Sequence, residues 1–167
     1  MTLRGPRVVL RPLRPQDVQV LAAIAAEPAV ARWWGEVPEA ELQRKAVGED
    51  DVSALVVEVE GAVVGMLQIH EEPDPDYRHA GIDMFLSGPV QGRGLGREAL
   101  SLAVEHLIGE RGHHRITIDP AADNERAIRC YEAVGFRRVG VMHAYERGAD
   151  GTFHDGVLME LVRVSPG

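Results

Sequence analysis

Apolar and polar positions first alternate with a period of two. Across Arg7 to Leu13, Val8, Leu10 and Pro12 face one way and Val9, Arg11 and Leu13 the other, which predicts a strand near a sheet edge whose pairing Pro12 ends. The period then lengthens: Pro15 sits where a first helical turn tolerates proline, and Val18, Leu21, Ala22 and Ala25 make a helical stripe to about Ala26. After Pro28, Ala-Arg-Trp-Trp-Gly at 31 to 35 connects to a weaker helix from Pro38 to about Val47. Ser53 to Glu60 and Ala62 to His70 are β-branched, apolar runs with Glu60-Gly61 at the turn, the pattern of a hairpin. Gly81 to Leu86 predicts a strand, and Gly94 to about Glu110 a helix burying Leu100, Ala103, Val104, Leu107 and Ile108. Arg115 to Asp119 completes a right-handed parallel crossover with them. Asn124 caps a helix over Glu125 to Val134 that Gly135 ends. Arg137 to Glu146 and Phe153 to Val164 close the chain as two strands joined by a turn at Gly148-Ala149-Asp150-Gly151.

Composition adds limits to this α/β pattern. With 167 residues, one domain spanning 1–167 is expected, without repeat or linker. The 45% apolar and 26% charged content is that of an ordinary soluble protein. Cys130 is the only cysteine, so no intrachain disulfide forms and a reducing cytoplasm fits. Met1 to Arg11 carries no apolar leader core, and no run approaches the roughly 20 apolar residues of a membrane span. A net charge of −8 argues against nucleic acid or an acidic membrane and favours cationic small molecules.

Gln91-Gly92-Arg93-Gly94-Leu95-Gly96 places three glycines at alternate positions just before a helix. Such a stretch is either a tight connection or an anion site, since glycines admit close backbone approach and the helix start offers unpaired N–H groups. Asn124, Ala127 and Tyr131 share one face of their helix, with Tyr131 either a half-buried core tyrosine or a phenol lining a groove. Trp33 and Trp34 are core anchors or a substrate wall. The acidic loop from Glu71 to Tyr77 is a solvated turn or, beside a pocket, a lure for a polyamine. Gly94 to Ala99 also fits a dinucleotide fingerprint, but that should open the first strand-helix unit of a larger sheet, and here several strands precede it. No phosphate-loop Gly-Lys-Ser/Thr, no Gly-x-Ser-x-Gly and no His-Glu-x-x-His is present, and Cys130 lies in a helix with no evident base, so no metal or covalent nucleophile is expected.

Gln91 to Gly96 resembles the Gln/Arg-x-x-Gly-x-Gly/Ala loop of the GNAT N-acetyltransferases, and Asn124 to Phe136 resembles their Asn-x-x-Ala-x-x-x-Tyr…Gly-Phe motif. The order of elements from Arg7 to Val164 is also similar. The resemblance implies a mixed, mostly antiparallel sheet of six to seven strands with about four helices and a central parallel β-α-β crossover. It implies acetyl-CoA as cofactor. Gln91, Gly92, Arg93, Gly94, Leu95, Gly96 and Arg97 would hold the pyrophosphate; Phe85, Leu86, Asn124 and Ala127 would lie along the pantetheine arm; and Tyr131 would protonate the departing thiolate. A catalytically silent acetyl-CoA-binding module is the alternative.

More narrowly, Arg7 to Pro12, Trp33-Trp34-Gly35, Gly65 to Gln68, Gly81-Ile82-Asp83 and Asp119-Pro120 are similar to aminoglycoside 6′-N-acetyltransferases, enzymes of antibiotic resistance. That likeness implies Asp83 as general base and Asp119 as a ligand of a cationic acceptor, with Trp33, Trp34 and Gln68 lining its pocket. His154 and a water path are other bases. The segment between Gln68 and Gly81 is short for those enzymes, and Asp150 to Met159 looks more like GNAT proteins acting on protein N-termini or other small amines. A monomer or a homodimer fits the sequence equally.

Overall fold

The computed structural model describes residues 1–164. In chain order it contains β1 (Leu3–Arg4), β2 (Val8–Pro12), α1 (Val18–Ala25), α2 (Pro28–Trp34), α3 (Glu39–Ala46), β3 (Ser53–Val59), β4 (Ala62–Glu71), β5 (Ala80–Leu86), α4 (Leu95–Gly109), β6 (Arg115–Ile118), α5 (Glu125–Val134), β7 (Arg137–Arg147) and β8 (Phe153–Val162). All eight strands join one sheet in the order β1-β2-β3-β4-β5-β6-β8-β7. Every neighbouring pair is antiparallel except β5 and β6.

Both faces of the central strands are covered, so they read as continuous apolar runs. Leu55 and Val57 of β3 pack with Leu10, Leu67, Ile82 and the buried faces of α4 and α5. The alternate residues Ala54 and Val56 pack on the other face with Met66, Phe85, Leu21, Ile24 and Leu42, under α1 to α3. Arg11 ties β2 to the start of α1, donating to both oxygens of Asp17 at 2.8 and 2.9 Å and also to Glu58.

The sheet holds one strand more than the expected six to seven, because the two-residue β1 forms the edge next to β2. Pro12 is indeed the last residue of β2 in the ladder, opposite Leu55. A fifth helix, α2, replaces the expected connector at 31–35: Pro28 starts it and Gly35, at φ +69, stops it. Both tryptophans are therefore helical.

The parallel contact between β5 and β6 is brief. Ala80 pairs with Ile116 and Gly81 with Thr117, and the ladder stops there while β5 continues to Leu86. The strands part beyond Gly81, opening the sheet on the side where α4 and α5 begin.

Candidate functional site

The loop before α4 is fixed by geometry that glycine permits. Gly92 and Gly94 adopt φ +76 and +77, and α4 starts directly after Gly94. Arg7 of the β1–β2 connection donates to the carbonyl of Arg93 at 2.8 Å and, with the Val8 N–H, to Glu98 in the first turn of α4. Gln91 donates to the carbonyl of Leu86 at 2.9 Å and accepts from Arg126 at 3.1 Å. Its side chain thus joins the end of β5 to α5.

Beside this loop runs a channel of about 850 Å³, between the parted end of β5, α2 and α5. Of the residues expected at a cofactor, Phe85, Leu86, Gln91, Gly92, Gly94, Gly96, Arg97, Asn124, Ala127 and Tyr131 line it. Arg93 and Leu95 do not. The Arg93 side chain is exposed outside the channel, and Leu95, the first residue of α4, is buried in the core, so neither side chain reaches the channel. Arg32, Arg126 and Arg129 also rim the channel. Sequence reasoning passed over them, although 126 and 129 are one helical turn apart. Asn124 caps α5 as expected, accepting the Ala127 N–H at 3.2 Å, which leaves its amide nitrogen unused by the cap.

A second cavity of about 480 Å³ adjoins the channel. It gathers Trp33, Trp34, Gln68, Asp83, Asp119 and Tyr131, residues scattered over α2, β4, β5, the end of β6 and α5. The two spaces meet at Trp33, Trp34, Met84, Asn124 and Tyr131. Trp34 packs edge-on against Phe85 with centroids 5.0 Å apart and also lines both spaces. Trp33 lies under the Arg32 guanidinium at 4.5 Å.

Asp83 stands opposite Gln68 in the β4–β5 ladder, with the Gln68 amide 3.5 Å from its carboxylate. It is exposed within the cavity yet surrounded by protein at longer range. Burial among those atoms, followed by the neighbouring charge of Asp119, pushes its pKa up to about 6. Tyr131 is 8% exposed, and burial raises its phenol well above the ordinary value, so it stays protonated at neutral pH.

Tyr145 and Glu146 of β7 complete the cavity, and no local sequence signal marked them. The Tyr145 hydroxyl donates to Asp119 at 2.6 Å, and that hydrogen bond raises its pKa to about 12. Glu146 is raised by burial and by Asp119. His154 is turned instead towards Asp150, 2.9 Å away in the β7–β8 turn, and lines neither space. The acidic loop is likewise engaged elsewhere. Glu71 contacts His113 at 2.6 Å and Arg111 at 3.2 Å, Asp74 accepts the Asp76 N–H, and none of residues 71–77 reaches either space.

Known proteins carry the same design. Residues 7–137 match the family described as acetyltransferase (GNAT) domain. An aminoglycoside N(6′)-acetyltransferase type 1 of Klebsiella pneumoniae is 30% identical over 163 residues, covering 85% of this chain and 80% of that protein. A spermidine N(1)-acetyltransferase of Escherichia coli (strain K12) is 27% identical over 145 residues, covering 83% and 77%. The solved structure of AAC(6′)-Ib with ribostamycin and coenzyme A superposes with a TM-score of 0.77 at 27% identity, covering 94% of each chain. With its glycine loop, parted strands and paired cavities, this chain belongs to the GNAT acetyltransferase family.

Proposed function

We propose that the chain transfers an acetyl group to a primary amine of a polycationic small molecule, of the aminoglycoside or polyamine class, by direct attack in a ternary complex. The observation that carries this reading is the junction of an arginine-rimmed channel with a carboxylate-lined cavity at Trp33, Trp34, Met84, Asn124 and Tyr131. The two curated relatives named above act, by their names, on an aminoglycoside and on spermidine, both polycations.

As a GNAT acetyltransferase the chain takes its acetyl group from acetyl-CoA. The residues fit that molecule. Gly92 and Gly94 occupy positive φ, a Cβ at Gly96 would meet Leu86 at 3.4 Å, and Arg97, Arg126 and Arg129 supply charge for phosphates. One edge of β5 beyond Gly81, unpaired with β6, offers backbone groups to an amide-bearing arm. When bound, acetyl-CoA supplies a thioester, an acyl group already activated towards an amine.

The chain's own residues then handle the protons. An amine of ordinary pKa ~10.4 is almost wholly protonated near neutral pH, and only its neutral form attacks. Asp119 and Glu146 hold ammonium groups, but the same charges oppose deprotonation of the reacting one, so a base must stand beside it. Asp83, mostly ionised at pH 7 with a pKa of about 6, receives that proton directly or through a water. Tyr131 Oη keeps its proton available to the departing sulfur. The reaction belongs in the cytoplasm, where its donor is made and Cys130 stays reduced.

Release of CoA thiol in the presence of kanamycin, spermidine or a peptide amino terminus tests the reading. Turnover on either polycation supports it. Turnover confined to the peptide or to free amino acids contradicts it.

A further inference from the structure

β7 leaves regular ladder geometry beside the acceptor cavity. Between the pairs Met142↔Gly156 and Glu146↔His154, three residues of β7, His143 to Tyr145, stand against the single Asp155 of β8. A common bulge adds one residue to a strand; here there are two. Within it Ala144 takes φ +47, a region that residues with a Cβ enter only when their surroundings hold them there.

Asp155 supplies the hold. One carboxylate oxygen accepts the Ala144 N–H at 2.9 Å, and the other lies 3.4 Å from His143 Nδ1. Its carbonyl accepts the Ala122 N–H at 2.9 Å, fixing the same residue to the segment that follows Asp119. Gly156 next to it leaves room for the Tyr145 ring, since a Cβ there would stand 3.0 Å from Tyr145 Cδ2. The outcome is that Tyr145 reaches Asp119 and Glu146 lines the cavity. A regular β7 would carry two fewer residues here; the facing of each side chain would be kept, but Tyr145 and Glu146 would lie two positions farther along β8, about 7 Å from their present places.

Resting on the polycationic acceptor proposed above, we infer that Asp155 is a positioning residue for acceptor recognition: by holding the Ala144 N–H it sets the bulge that brings Tyr145 onto Asp119 and Glu146 into the cavity. Asp155 touches no reacting atom. At pH 7.5, where Asp83 is ionised with or without Glu146 beside it, the effect of Asp155 falls on acceptor binding and leaves the donor side untouched.

Two measurements on full-length protein test this. In steady-state kinetics with spermidine and kanamycin, Asp155→Ala raises KM for whichever polycation is turned over about tenfold, the loss of one charge-assisted hydrogen bond's worth of order, while kcat and KM for acetyl-CoA stay within twofold. Asp155→Asn, whose amide oxygen still accepts the Ala144 N–H, returns KM to within about threefold of the parent. An unchanged acceptor KM in Asp155→Ala, or an equal loss in kcat and on the donor side, overturns the inference. Independently of any acceptor, a crystal structure of Asp155→Ala shows Ala144 leaving positive φ and the Tyr145 hydroxyl leaving Asp119; persistence of both overturns the brace. Should the parent acetylate neither polycation, the proposed function fails on its own, and the crystal structure still decides whether Asp155 holds the bulge.

Discussion

Asp83 sets stability against function. Its pKa of about 6 means the folded protein resists ionising it. In the unfolded chain an aspartate ionises near ~3.9. The sign follows: below about pH 4 both states are protonated and nothing is lost, between 4 and 6 the folded state is progressively penalised, and above 6 the penalty is complete. Asp83→Asn is therefore expected to raise Tm at pH 7.5, with the gain vanishing at pH 4, as calorimetry at the two pH values will show. The same substitution removes the proposed base. The acid limb of kcat/KM, expected near pH 6, disappears, and kcat at pH 7.5 falls by about 10²-fold or more. With the phenol as the proposed acid for the leaving sulfur, Tyr131→Phe is expected to lower kcat on the same order while leaving KM for both substrates near the parent values, since the ring still fills its place between the two cavities.

At the scale of elements, α5 and its cap line both the channel and the second cavity. Its first turn carries the Asn124 cap and Arg126, its second Arg129 and Tyr131. Replacing Arg126 and Arg129 together with glutamine is expected to raise KM for acetyl-CoA roughly tenfold and to flatten its dependence on salt, with acceptor KM unchanged; initial rates at two ionic strengths check this. The helix was legible in the sequence from Glu125 to Val134, because Asn124 and Gly135 are strong stop signals at either end. The β3–β4 hairpin was equally legible, since Glu60 and Gly61 at positive φ are what a two-residue turn demands. Less was visible where tertiary contacts decide. Pro28 to Trp34 is only two turns long, and its helix depends on Val30 and Trp34 packing against the core under α1. Tyr145 and Glu146 sit in a strand that reads as ordinary alternation, and only the pairing with β8 reveals the inserted residues. The turn before α4 was legible from its glycines, but that Arg93 turns outward and Leu95 inward follows from the packing of α4.

Across the whole molecule, carboxylates fall into two electrostatic groups. Asp17, held by Arg11, and Glu160, held by Arg115 and then Arg137, are kept below the ordinary carboxylate range by those hydrogen bonds, with burial opposing. They stabilise the fold above the unfolded values near ~4, and that contribution is lost as pH falls through their folded pKa values. Asp17→Asn breaks a buried pair and is expected to cost about 3 kcal/mol at pH 7 by urea unfolding, and less at pH 3. Asp83 and Glu146 are shifted the opposite way, in a cavity whose retained charge is useful to a cationic ligand. The net charge of −8 adds a long-range field of the same sign. The central claim is that this concentration of negative charge selects polycations, and the ratio of kcat/KM for spermidine or kanamycin to that for a monoamine such as benzylamine, measured by thiol release at low and at 0.5 M salt, tests it most directly. A ratio of about 10² or more is expected at low salt, shrinking as salt screens the carboxylates; a ratio near one, or one indifferent to salt, would contradict that selectivity.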